Sequence, residues 1–87
     1  RCLTLINSQH GKVVQMEIGA LLVGRIHNHP LTCLVKGQEK GFFGLGGSSI
    51  MVLYPKDSIE LDQDIWYYSQ QDIEIQVSLG ERIGTYV

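Results

Sequence analysis

Apolar residues recur along this chain in short bursts: Leu3-Thr4-Leu5-Ile6, Lys12 to Ile18, Leu21 to Ile26, Thr32 to Val35, Ile50 to Tyr54 and Ile73 to Val77. Turn-forming residues separate them at Asn7-Ser8, His10-Gly11, Gly19, Asn28-His29-Pro30, Lys36-Gly37, Pro55-Lys56-Asp57 and Leu79-Gly80. Short β-branched segments punctuated roughly every 8 to 12 residues predict an all-β fold, a small, mainly antiparallel barrel or sandwich with alternate side chains facing the core. The stretch Ile73-Glu74-Ile75-Gln76-Val77 alternates apolar and polar residues and predicts a half-exposed strand. One segment breaks the rhythm. Asp62 to Ser69 offers an Asp cap followed by Ile65, Trp66, Tyr67 and Tyr68, and predicts a short helix or 3₁₀ turn near 62–69 whose rings close one end of the barrel. Val35 to Gly41 and Val77 to Gly84 share a V-x-x-G-x-x-x-G skeleton, one residue shorter in the first, which suggests two similar turns in a pseudo-symmetric barrel.

Composition restricts what such a fold can do. The 87 residues make a single domain, 1–87, and a net charge of −2 with 18% charged residues excludes the concentrated basic face of a nucleic-acid binder. The longest apolar runs, Ala20 to Val23 and Ile50 to Leu53, fall far short of the roughly 20 residues needed to span a bilayer, so the piece itself is expected to be soluble. It starts at Arg1 without an initiator Met, and a fragment of a longer protein is expected. Cys2 and Cys33 are too few for a disulfide framework and lack metal-ligand spacing. His27 and His29 share a strand face in an H-x-H arrangement, but no third ligand accompanies them, so no metal site is expected and a hydrogen-bonding role at a strand end is favoured. His10, beside Gly11, reads as an exposed turn residue.

The chemistry concentrates in Gly44-Leu45-Gly46-Gly47-Ser48-Ser49-Ile50. A phosphate-binding loop requires a lysine after the last glycine and a helix behind it; here neither follows. Two readings remain open from the residues. Glycines supply turn conformations at no steric cost, and serine tolerates them. Alternatively, a turn strained by about 1 to 3 kcal/mol brings Ser48 Oγ onto the Gly47 carbonyl carbon, with Gly47 leaving that carbonyl open. Attack moves the Gly47 acyl group from nitrogen to oxygen, and loss of the Ser48 α-proton expels the carboxylate. Hydrolysis of the resulting dehydroalanine leaves a pyruvoyl group, a carbonyl that condenses with amines and acts as an electron sink.

The run Gly41 to Leu53 resembles the maturation segment of the phosphatidylserine decarboxylase proenzymes, where G-[YF]-F-x-x-G-G-S-[ST]-[IV]-x-x-L surrounds the cleaved Gly-Ser bond. Gly11-Lys12-Val13, Ile18 to Ile26, Asn28-His29, Lys36 to Gly41 and Ser69 to Gly84 are similar to further segments of that family, in order and over nearly the whole chain. The resemblance implies cleavage into a β-chain portion, 1–47, and an α chain, 48–87, with Ser48 as nucleophile and pyruvoyl precursor and Gly47 as the cleaved carbonyl. It implies decarboxylation of phosphatidylserine to phosphatidylethanolamine and CO₂. Ser49, in the family's Ser or Thr position, would hydrogen-bond the oxyanion or the substrate carboxylate. The family's activating Asp and His lie in an amino-terminal part that also associates with membranes, making the full-length protein a peripheral membrane protein. That part is absent here, so the isolated piece is expected to mature poorly. A homodimer is left open. Gly44 stands where the family often has Lys or a larger residue.

Two non-enzymatic alternatives compete. A carrier barrel of the biotinyl or lipoyl type has similar turns but presents a lysine, usually beside Met, whereas Met16 and Met51 precede Glu17 and Val52. A degenerate homologue would keep the barrel as an interaction module and never cleave.

Overall fold

A computed structural model describes residues 1–19, 26–44 and 49–87. Gly47 and Ser48, and most of the strand expected over 21–26, lie outside those residues.

The first hairpin follows directly from its sequence. β1 (Cys2–Ser8) and β2 (Gly11–Ile18) pair antiparallel from Cys2↔Glu17 to Ser8↔Gly11, leaving Gln9 and His10 as a two-residue loop. Ser8 closes that loop: its Oγ donates to the Gly11 carbonyl at 2.7 Å and accepts from the His10 N–H at 3.2 Å. The apolar run Ile50–Leu53 lies in β5 (Ser49–Leu53), which adds to the far edge of β2 in the register Ile18↔Ser49 to Val14↔Leu53. Two smaller antiparallel pairs complete the β structure: β3 (Ile26–Asn28) with β4 (Gly41–Phe43), and β6 (Ile59–Leu61) with β7 (Gly84–Tyr86).

The all-β, antiparallel reading holds, with one short helix, α1 (Gln63–Ser69). Among the described residues the strands form three open sheets rather than a closed barrel. Those sheets are joined by side chains. Tyr86 of β7 stacks on His10 of the first hairpin at 4.0 Å and meets Tyr54 edge-on at 6.2 Å. His10 is therefore an exposed loop residue, as expected, with an aromatic partner that its neighbours in sequence do not reveal.

Two expected strands are absent for a common reason. Thr32–Val35 and Ile73–Val77 are irregular: among the described residues neither has a neighbouring strand whose ladder it could join, and the backbone bonds of Val35 and Ile73 go to turns instead. Ile73 and Val77 remain about half exposed, in keeping with the alternation itself.

The helix sits where expected, with Asp62 at the N-cap position. Its carboxylate makes no cap hydrogen bond; it faces Arg82 Nη2 at 3.2 Å instead, while the Asp62 N–H extends the β6–β7 ladder to the Ile83 carbonyl. The aromatics do not close a barrel end. No residue of α1 is buried, and Trp66 is 58% exposed. Trp66→Ser is accordingly expected to change the urea-denaturation midpoint by the equivalent of less than about 0.5 kcal/mol.

The helix ends in a Schellman arrangement: the Ile73 N–H reaches the Tyr68 carbonyl at 3.0 Å, and the Asp72 N–H reaches the Ser69 carbonyl at 3.1 Å. Asp72 closes it with φ of 57°, a left-handed conformation that costs a residue with a Cβ. Asp72→Gly is expected to raise the melting temperature, by the equivalent of about 0.5 kcal/mol. No change, or a fall, would show that the Asp side chain compensates its own backbone.

The shared V-x-x-G skeleton produces matching turns. In Val35–Gln38 and Ser78–Glu81 the third residue is a glycine at φ of 87° and 83°, and the fourth N–H returns to the first carbonyl at 3.0 Å in both. In both, the side-chain Oε1 of the fourth residue also accepts from the first N–H, at 3.0 Å for Gln38 and 3.4 Å for Glu81. Each turn leads three residues later into a short strand, β4 or β7, opened by glycine.

Candidate active site

Residues 45–48 connect two strands that are anchored separately. On the upstream side, β4 is held by β3 in the register Ile26↔Phe43, His27↔Phe42, Asn28↔Gly41. The approach at its start is so close that a Cβ on Gly41 would lie 2.2 Å from the His27 carbonyl oxygen, which is why glycine opens this strand. On the downstream side, Ser49 pairs with Ile18 at the end of β2 and is exposed, as is Ile50.

A polar cluster ties the two sides together. Glu17, on the inward face of β2 two residues from Gln15 and four from Val13, is only 6% exposed. Its Oε1 accepts from Lys40 Nζ at 2.5 Å and from Gln15 Nε2 at 3.5 Å. Lys40, the residue immediately before β4, also donates to Asn28 Oδ1 at 2.7 Å. Thus β2, which carries β5, and the β3–β4 hairpin meet at one buried ion pair. Burying two charges is costly unless each keeps good partners, and Lys40 has two. Glu17 Oε2, by contrast, has no partner among the described residues.

Sequence reasoning missed this cluster. Glu17 reads as an ordinary alternation and Lys40 as a turn residue; they are 23 positions apart, beyond any local spacing rule. The available signal was the phase of β2, since Glu17 falls in step with Val13, the one described apolar residue that is buried.

The histidines near this site gather around one aromatic ring. His27 stacks on Phe42 with ring centroids 4.7 Å apart, and His29 lies tilted over the same ring at 6.0 Å, so the two do share a face. His29 Nε2 lies 2.7 Å from Glu39 Oε2, and its backbone N–H continues the hairpin to the Lys40 carbonyl at 2.9 Å, the strand-end role expected for it. Among the described residues no group of three or more His, Cys, Asp or Glu side chains is arranged to hold a metal ion. Cys2 and Cys33 are both free thiols. An open cleft lies elsewhere, between β6, the start of α1 and Arg82, and neither Gly44 nor Ser49 lines it. No described helix is long and apolar enough to cross a membrane.

The arrangement defines a class: a small antiparallel β protein in which Gly46, Gly47 and Ser48 stand in sequence between β4 and Ser49, the first residue of β5. Residues 1–85 match the family model for phosphatidylserine decarboxylase, and the chain belongs to that family. It is 50% identical over 74 residues to phosphatidylserine decarboxylase proenzyme 2 of Clostridium acetobutylicum, covering 85% of this chain and 25% of that protein. It is 42% identical over 87 residues to the phosphatidylserine decarboxylase proenzyme of Chlamydia muridarum, covering 97% of this chain and 29% of that one. The proenzyme of Clostridium novyi is 41% identical over 85 residues, with 94% and 29% covered. The chain therefore spans between a quarter and a third of the length of the curated relatives it matches. No solved structure gives a significant match.

Proposed function

We propose that residues 1–87 are the carboxy-terminal domain of a pyruvoyl-dependent phosphatidylserine decarboxylase proenzyme that cleaves itself between Gly47 and Ser48. The observation that carries this reading is family membership over 1–85, with Gly47 and Ser48 in the sequence between β4 and β5 and Ser49 opening β5. Cleavage divides the domain into a β-chain portion, 1–47, and an α chain, 48–87.

Maturation balances without any external redox partner. Ser48 Oγ attacks the Gly47 carbonyl carbon, and the peptide C–N bond breaks as the ester forms. Removal of the Ser48 α-proton breaks the Cβ–Oγ bond and releases the Gly47 carboxylate. Water then replaces the amino nitrogen of the dehydroalanine, ammonia leaves, and a ketone remains at position 48. The surroundings suit such a group: Ser49, next to it, is exposed at a strand end where an amine can approach, and the pairing of Ser49 with Ile18 holds the chain from that point on. Once formed, the pyruvoyl group supplies a carbonyl electron sink for decarboxylation of an amine substrate.

The remaining tasks fall to residues of this chain and of the missing part. The Glu17–Lys40–Asn28 cluster and the β2–β5 ladder hold the two ends of the reacting segment, limiting the geometries open to Ser48. Ser49 donates a hydrogen bond to the oxyanion formed at Gly47 or to the substrate carboxylate. The base that activates Ser48 comes from the amino-terminal part, which also brings the protein to the membrane surface. The substrate is phosphatidylserine, after the names of the relatives.

Intact-mass spectrometry of the denatured full-length protein tests this reading. The expected result is two chains, one ending at Gly47 and one starting at residue 48, the latter lighter by one ammonia than a fragment with a free amino-terminal serine and reactive toward a hydrazide. A protein that folds and remains one chain is a degenerate homologue, and the reading fails.

A further inference from the structure

The three-stranded sheet β1–β2–β5 has two unlike faces. Residues paired directly across an antiparallel ladder project to the same side. The register therefore puts Glu17, Gln15 and Val13 of β2 on one face, together with Thr4 and Ile6 of β1 and Ile50 and Val52 of β5; this side is covered over β2, where Val13 and Glu17 are buried, while Ile50 and Val52 stay exposed at the β5 edge. The opposite face is built from two cross-strand rows, Leu3–Met16–Met51 and Leu5–Val14–Leu53, and both rows are apolar throughout. These rows are uncovered at their outer members: Leu3 is 62% exposed, Leu5 53%, Met51 48% and Leu53 51%. Six large apolar side chains in adjacent rows on a regular sheet form a continuous patch, unlike apolar residues scattered singly. The next row beyond Leu3–Met16–Met51 is Ile18–Ser49, so Ser49 lies at the rim of the patch.

We propose that this face is the docking surface for the remainder of the same proenzyme chain, and that docking there places the partner segment against the Gly47–Ser48 bond. The inference rests on the reading of residues 1–87 as part of a longer proenzyme. Three observations select the occupant. The matched share of the relatives is 25 to 29%, leaving about three quarters of such a chain to pack against something. Val13 is the only apolar residue buried among those described, so the sheet lacks the cover that a domain of this size requires. A segment tethered to this chain also competes at an effective concentration in the millimolar range, which favours it over a second copy. A lipid surface fits less well, because the patch has Lys12 as its one basic neighbour in the ladder and the chain carries a net charge of −2.

The face also accounts for the separation of nucleophile and base. A segment covering the two apolar rows reaches the Ile18–Ser49 row by continuing one step along the sheet. The apolar rows supply affinity, and the rim supplies proximity to the reacting bond.

The test is photocrosslinking within the full-length proenzyme carrying Ser48→Ala, so that its outcome does not depend on maturation. Benzoylphenylalanine is placed singly at Leu5, Met51 and Leu53 on the face, and at Lys56 in the exposed turn as control. Three sites guard against one variant failing to fold. The expected product is an intramolecular crosslink from the face positions to peptides outside 1–87, migrating as monomer and absent from the Lys56 protein. Crosslinks to an isotope-labelled second copy, crosslinks to phospholipid when vesicles are present, or yields no higher than at Lys56 would each overturn the proposal. The mass measurement on the wild-type protein reads self-cleavage independently, so failure of docking and failure of the decarboxylase reading are told apart.

Discussion

A full-length proenzyme carrying Ser48→Ala is expected to remain a single chain, with no hydrazide-reactive carbonyl and no decarboxylation of phosphatidylserine above background. On the proposed maturation the loss is complete rather than partial, because one residue serves twice: Ser48 Oγ is the nucleophile that breaks the peptide bond, and Ser48 Cα becomes the ketone carbon once Cβ has lost Oγ; alanine can do neither. Ser49→Ala separates this requirement from a general effect on the segment. It removes a hydroxyl that only donates to the oxyanion or substrate, so cleavage is expected to proceed at a reduced rate, on the order of the 10²- to 10³-fold lost with one oxyanion donor. A Ser48→Ala protein that still splits between 47 and 48 would place the nucleophile elsewhere. A Ser49→Ala protein that splits at the wild-type rate would remove Ser49 from the machinery while leaving Ser48 in it.

The second large effect is expected at the buried ion pair. Lys40→Met strands the Glu17 carboxylate in a site where it is 6% exposed and where Oε2 has no partner among the described residues. Removing one member of such a pair typically costs about 3 to 5 kcal/mol, because the remaining charge is neither hydrated nor neutralised. Glu17→Leu combined with Lys40→Met removes both charges and fills the space with apolar atoms, and much of that loss should return. Denaturant unfolding of the Ser48→Ala proenzyme, in which cleavage cannot confuse the signal, gives the stability of each variant. Equal destabilisation by the single and double changes would mean that packing, not charge, is lost. Self-cleavage rates of the same variants with Ser48 intact show whether the pair also sets the geometry of the segment. A double variant that regains stability but cleaves slowly would assign it that positioning role.

These two sites differ in how far local sequence reveals them. Gly47, Ser48 and Ser49 are contiguous, and the proposed chemistry involves bonds between neighbours, so a few letters suffice to raise it beside the plain-turn reading, and the resemblance to a family decides between the two. Glu17, Asn28 and Lys40 acquire meaning only when β2 and the β3–β4 hairpin meet. The same division runs through the elements. β1, β2, β5 and α1 have long enough patterns to be read directly, from the apolar run Ile50–Leu53 and an Asp at the head of an aromatic helix, although the first turn, expected at Asn7-Ser8 and His10-Gly11, is the narrower loop Gln9-His10. β4, β6 and β7 have three residues each, two of them beginning with glycine, and nothing in Gly41–Phe43 or Gly84–Tyr86 signals a strand. They are strands because β3 and β6 lie beside them. Thr32–Val35 and Ile73–Val77 show the converse, strand-like patterns that remain irregular for want of a neighbour.

By itself, then, the sequence determined the class of fold and the family, and it supplied the candidate reactive segment, because these depend on side-chain periodicity and on residues adjacent along the chain. Tertiary structure alone decided which strands pair, that the sheets stay open among the described residues, that Trp66 and its neighbours face solvent, and that Lys40 reaches Glu17. Each of those outcomes depends on backbone hydrogen bonds and desolvation between segments far apart in the chain, and the partner for such an interaction exists only once the chain has folded.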